Sequence, residues 1–133
     1  MNFNAAQKLV GALYGNILHR DADQDGFNYN VHGLTNNLVS VKEIMYEFFT
    51  SEEFFKKFVV NQTPNELSRN LLACFFGASD VVSADLLRVR DNMIKAGLPG
   101  VVTALMEDPR FFDRHGSHGV PRYEEKVQIL IGA

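Results

Sequence analysis

The chain has 133 residues, 46% hydrophobic and 22% charged, a balance that excludes a disordered or collagen-like polymer and suits one domain. Lys plus Arg is 13 and Asp plus Glu is 16, a net charge of -3, which argues against a nucleic-acid binder that works by neutralising phosphates. The single cysteine, Cys74, excludes an intramolecular disulfide and a multi-cysteine metal site, and no apolar run reaches the ~18 residues of a membrane span. The first residues lack the basic start and apolar stretch of a secretory signal, so a cytoplasmic location is expected.

Taken in chain order, the pattern reads as helix nearly everywhere. Asn4 is the expected first N-cap, with Leu9, Val10, Leu13, Tyr14, Ile17 and Leu18 on one stripe. Arg20–Gly26 reads as a loop. Phe27, Val31 and Leu34 predict a short second helix that Asn36 and Asn37 stop. Ser40 with Glu43 has capping-box spacing before Ile44, Phe48 and Phe49. Ser51 opens a helix carrying Phe54, Phe55 and Phe58. Thr63-Pro64-Asn65-Glu66 combines a cap, an N1 proline and a glutamate three residues on, before Leu67, Leu71, Leu72, Phe75 and Phe76. Gly77 ends that helix. Ser83 is the expected cap of the next, with Leu86, Leu87, Val89, Met93 and Ile94 inside and Gly97 as its stop. A short helix with Val101, Leu105 and Met106 follows, then one capped by Asp108-Pro109 with Phe111 and Phe112. From Gly116 the chain reads as irregular. Val127–Ile131 is an apolar run suited to a tail or to a strand against another molecule.

A shift of 57 residues superimposes the two halves. Ile44 meets Val101, Phe48 meets Leu105, Phe49 meets Met106, Ser51 meets Asp108, and Phe54-Phe55 meets Phe111-Phe112. Upstream, Tyr14, Ile17 and Leu18 meet Leu71, Cys74 and Phe75. Two copies of one helical unit with closing aromatic faces are therefore expected.

Chemistry is sparse. Asp21, Asp23, Asp25 and Gly26 occupy positions 1, 3, 5 and 6 of an EF-hand-like loop, but His32 stands where the bidentate glutamate belongs. A solvated Asp-rich turn is the expectation; these aspartates are weak calcium candidates. Cys74 sits on an apolar helix face and reads as a buried structural thiol. His115 and His118 read as polar tail contacts. No nucleophile, phosphate loop or carboxylate pair stands out, so no catalytic residues and no cofactor are expected.

The stretch Thr63–Tyr123 resembles the second half of the phycobilisome linker-polypeptide domain. The resemblance is carried by Leu71-Leu72-x-x-Phe75-Phe76-Gly77, by the helix ending at Lys95-Ala96-Gly97, by Asp108-Pro109-Arg110-Phe111-Phe112, and by Gly116-Ser117-His118-Gly119-Val120-Pro121-Arg122-Tyr123. Val41–Phe49 followed by Ser51-Glu52-Glu53-Phe54-Phe55 is similar to the same family. His115 and Ser117 depart from that pattern, and the net acidic charge departs from the family's basic character. His19-Arg20-Asp21-x-Asp23-x-x-Gly26-Phe27 is similar to a related helical repeat of bacterial surface and secreted proteins.

The sequence thus predicts an all-α, single-domain bundle of seven or eight helices in two half-repeats, residues 1–123, with 124–133 as a C-terminal tail. The linker resemblance implies a non-enzymatic assembly protein that organises phycobiliproteins in a light-harvesting antenna, in the cytoplasm or peripheral to the thylakoid. The alternative is a helical interaction module with a non-photosynthetic partner, including one at the cell surface. Expected partner contacts are Arg114, His118, Val120, Pro121, Arg122 and Tyr123, an exposed aromatic beside arginines. Self-association is left open.

Overall fold

The computed structural model describes residues 1–77 and 81–125, and among these all regular structure is helical. The Val127–Ile131 run lies outside the described residues. The order is α1 (Phe3–Leu13, continuing as a π-turn Tyr14–Leu18), α2 (Gln24–Thr35), α3 (Val41–Phe49), α4 (Glu52–Phe54, continuing as a π-turn Phe55–Val59), α5 (Pro64–Phe76), α6 (Ser83–Glu107) and α7 (Pro109–His115). Gly97 breaks α6 into two segments: its φ of 69° is a left-handed conformation that costs glycine little. Among the described residues eight helical segments therefore form two sets of four, as the repeat requires.

The caps explain most boundaries. Ser40 and Thr63 form complete capping boxes with Glu43 and Glu66. Ser51 accepts from the amide of Phe54, and its counterpart Asp108 from that of Arg110. Two expected caps move. Asn2, two residues before Asn4, starts α1, its side chain accepting from the Ala5 amide three residues on. Val82 fills the cap position of α6 with no side-chain bond, and Ser83 is already helical.

Packing repeats as the sequence does. α1 lies on α2 and α5 on α6; α3 lies on α4 and α6 on α7. Across the middle, α3 packs beside the second segment of α6, its own counterpart, with Tyr46 and Glu47 facing Thr103 and Met106. Each half thus repeats the same neighbour order, and the halves meet through α3 and its counterpart. Phe54 and Phe111 are fully buried, and Phe49 and Phe75 bridge the halves with centroids 5.2 Å apart. Cys74 is buried as expected, and burial pushes its thiol pKa up.

Two residues expected inside, Leu87 and Ile94, are not core, and each phenylalanine pair is split between core and surface. Phe55 and Phe112 are half exposed, at equivalent positions of the two halves. On α6 the inward stripe is Leu86, Val89 and Met93, whereas Leu87 and Ile94 point outward; the two stripes lie about 120° apart around the helix. Asp85 is buried instead, holding the Arg110 guanidinium by two bonds of 2.7 and 3.2 Å. Arg110 in turn lies 4.2 Å over the Phe76 ring.

Candidate functional site

After α7 the chain turns at Gly116, φ 69°, and its last described stretch runs back as an extended strap over the first half. The last carbonyls of a helix lack intrahelical donors, and the strap supplies one. The Tyr123 amide donates to the Asn16 carbonyl at 3.0 Å. The Asn16 side-chain amide donates to the Val120 carbonyl at 3.2 Å, and His19 Nε2–H donates to the Tyr123 carbonyl at 2.6 Å. The Tyr123 ring is fully buried between Phe54 and Phe58, centroids 5.0 and 5.2 Å away. Its hydroxyl accepts from Gln62 Nε2 at 2.6 Å, and Asn70 donates to Gln62 Oε1 at 2.6 Å. Burial raises the phenol pKa.

This corrects the expected partner surface. Tyr123 and Pro121 are buried and Val120 is half-buried, so they lock the second half onto the first and are not offered to a partner. The segment was too polar to read as core. The Val120 carbonyl and both backbone polar groups of Tyr123 are satisfied by Asn16 and His19, more than a hundred residues away. Arg122 is exposed and pairs with Glu124 at 3.1 Å. Arg114 is exposed, its guanidinium against Gly77, whose φ of 98° and lack of a Cβ leave the space. His118 is exposed. His115 Nε2–H donates to the Phe75 carbonyl at 3.1 Å, and burial holds its pKa below the ordinary histidine value.

The Asp-rich segment is a helix start. Asp23 caps α2 by accepting from the Gly26 amide at 2.9 Å, and this bond, with Arg20 nearby, lowers its pKa. Asp25 and Gly26 already belong to α2, and Asp21 is exposed. Gly26 is there because a Cβ would collide with the Tyr14 hydroxyl, not to shape an ion loop. Among the described residues no three His, Cys, Asp or Glu side chains gather as a metal site would need.

Among the described residues a groove of about 680 Å³ lies between the α2–α3 connection and the end of α7. Leu38, 67% exposed, and Phe112, 56% exposed, flank it; Lys42 and Glu43 lie along one side and Ser117 and His118 along the other. His118 is the one expected partner residue that lines it. Sequence reasoning singled out neither Leu38, which lies in a turn, nor Phe112 as a contact; the matching exposure of Phe55 shows the position to be outward in both repeats.

Residues 4–58 match a family described as "Domain of unknown function (DUF4214)". The matched span coincides with the first half, from α1 to the π-turn that closes α4. No curated protein matches the chain. Among the described residues no helix is long and apolar enough to cross a membrane.

Proposed function

We propose that the protein is a non-catalytic protein–protein interaction module whose partner docks at the groove beside α7. The carrying observation is Leu38 and Phe112, two large apolar side chains more than half exposed on either side of one 680 Å³ groove with a polar margin. Apolar anchors inside a polar rim are the layout that supports docking. The more chemical groups are spent on structure: Arg20, Glu53, Asp85 and Arg110 in ion pairs, His19 and His115 on carbonyls, Cys74 inside.

The narrower reading, a phycobiliprotein ring as partner, rests on the resemblance of residues 63–123. Partner binding is tested by Leu38→Asp and Phe112→Asp in parallel, against purified phycobiliprotein rings and against a partner cross-linked in the native host. Both variants should keep the parent's helical spectrum and lose binding. Retained binding to either partner would remove the groove from the interface. Binding to the rings would favour the light-harvesting reading, and binding to a colourless partner alone would exclude it.

A further inference from the structure

The outer face of the first segment of α6 carries a pattern that neither the core nor the groove explains. Ile94 is 81% exposed and Leu87 58% exposed. Seven residues apart, they lie within about 20° of one another around the helix. Arg90 and Asp91 fall about 60° to one side and about 40° to the other side of Leu87, so all four share one face. Both are exposed, and neither forms an ion pair among the described residues. The charges on the inner side of the same helix behave differently: Asp85 pairs with Arg88 and Arg110.

We infer that this face pairs with the same face of a second copy, antiparallel, about a twofold axis passing between Arg90 and Asp91. That one register does two things at once. It lays Leu87 of each copy against Ile94 of the other, and it sets Arg90 of each copy opposite Asp91 of the other. A face that is complementary to itself in both apolar and charged positions is what an isologous dimer requires. A partner of one charge sign would satisfy only half of it. Small apolar centres flanked by opposite charges resemble the seam and flanks of a two-stranded coiled coil. The segment Ser83–Ala96, ended by Gly97, spans only about 21 Å of helix, so the contact belongs to the weak, transient class.

Sedimentation velocity from dilute to concentrated solution tests this. The parent should show reversible monomer–dimer exchange, weakened about tenfold or more by Ile94→Glu. Arg90→Asp alone and Asp91→Arg alone should each abolish association, because like charges meet across the axis. Mixed together, the two single variants should associate with each other, and the double exchange Arg90→Asp with Asp91→Arg should restore the homodimer. All four positions are exposed, so far-UV spectra should match the parent. A parent that stays monomeric at every concentration overturns the inference. So does a dimer indifferent to Ile94→Glu, or single charge variants that fail to associate when mixed. Because Leu38 and Phe112 are untouched, these outcomes are independent of the partner groove.

Discussion

The Tyr123 ring stands edge-on to Phe54, centroids 5.0 Å apart and planes at 72°, which ties the last described stretch of the second half to the core of the first. The contact makes the strap part of the domain's stability. Tyr123→Ala should therefore cost about 3–5 kcal/mol, the range for emptying a buried aromatic site. Tyr123→Phe keeps the ring but strands the Gln62 donor, and should cost about 1 kcal/mol. Urea unfolding of both variants checks this. A Tyr123→Ala protein as stable as the parent would show that the strap is dispensable.

The repeat makes a paired prediction. Phe54→Ala and Phe111→Ala remove fully buried rings at equivalent sites and should each cost about 3–5 kcal/mol. Phe55→Ala and Phe112→Ala remove half-exposed rings at the neighbouring equivalent positions and should change stability by about 0.5 kcal/mol or less. Thermal melts of the four variants would expose any failure of the repeat's equivalence as an unequal pair.

Local rules made much of this architecture readable. Ser40, Thr63 and Asp108 announce helix starts because the cap bond spans two or three residues and needs no tertiary partner. The phenylalanine pairs announce the repeat because a 57-residue shift aligns cap and aromatic together. Two features were hidden by their dependence on distant partners. Asp85 is buried because Arg110, 25 residues on, neutralises it. Tyr123 is buried because Asn16 and His19 absorb the strap's backbone polarity. Leu87 and Ile94 keep helical spacing with Leu86, Val89 and Met93, and periodicity alone does not say which of two apolar stripes faces inward. The groove was invisible because its two flanking residues lie 74 positions apart.

Gly26 separates the structural from the ionic reading of the Asp-rich turn. With Tyr14 against its open side, Gly26→Ala should destabilise the protein, by about 1–3 kcal/mol as for overpacking. Asp23→Ala should cost about 1 kcal/mol through the lost cap. Calcium should leave the melting temperature of the parent and of Asp21→Ala alike, because the aspartates are spread over a cap and an exposed helix turn. A calcium-dependent rise in melting temperature that Asp21→Ala or Asp25→Ala removes would reinstate an ion site.

Glu53 sets the acid limb of stability. Its carboxylate accepts from Arg20 Nε at 2.8 Å and Nη2 at 3.0 Å, and from Lys57 Nζ at 2.8 Å. The Arg20 hydrogen bonds, with Lys57 adding to them, hold its pKa down to about 2 against an ordinary 4.5. The unfolded chain takes up this proton near pH 4.5, while the folded chain resists until about 2. Between those values the unfolded state binds more protons, so the contribution is complete above pH 4.5 and lost as pH falls through the window. The carboxylate side chain is a third exposed, so salt screens part of the effect. Glu53→Gln should melt below the parent at neutral pH, and the gap should close as both are titrated from pH 4.5 towards 2. The same gap should shrink at high salt. A gap that stays constant down to pH 2 would mean that the glutamine fails on shape and not on charge, and that the Arg20 pair adds nothing to acid sensitivity.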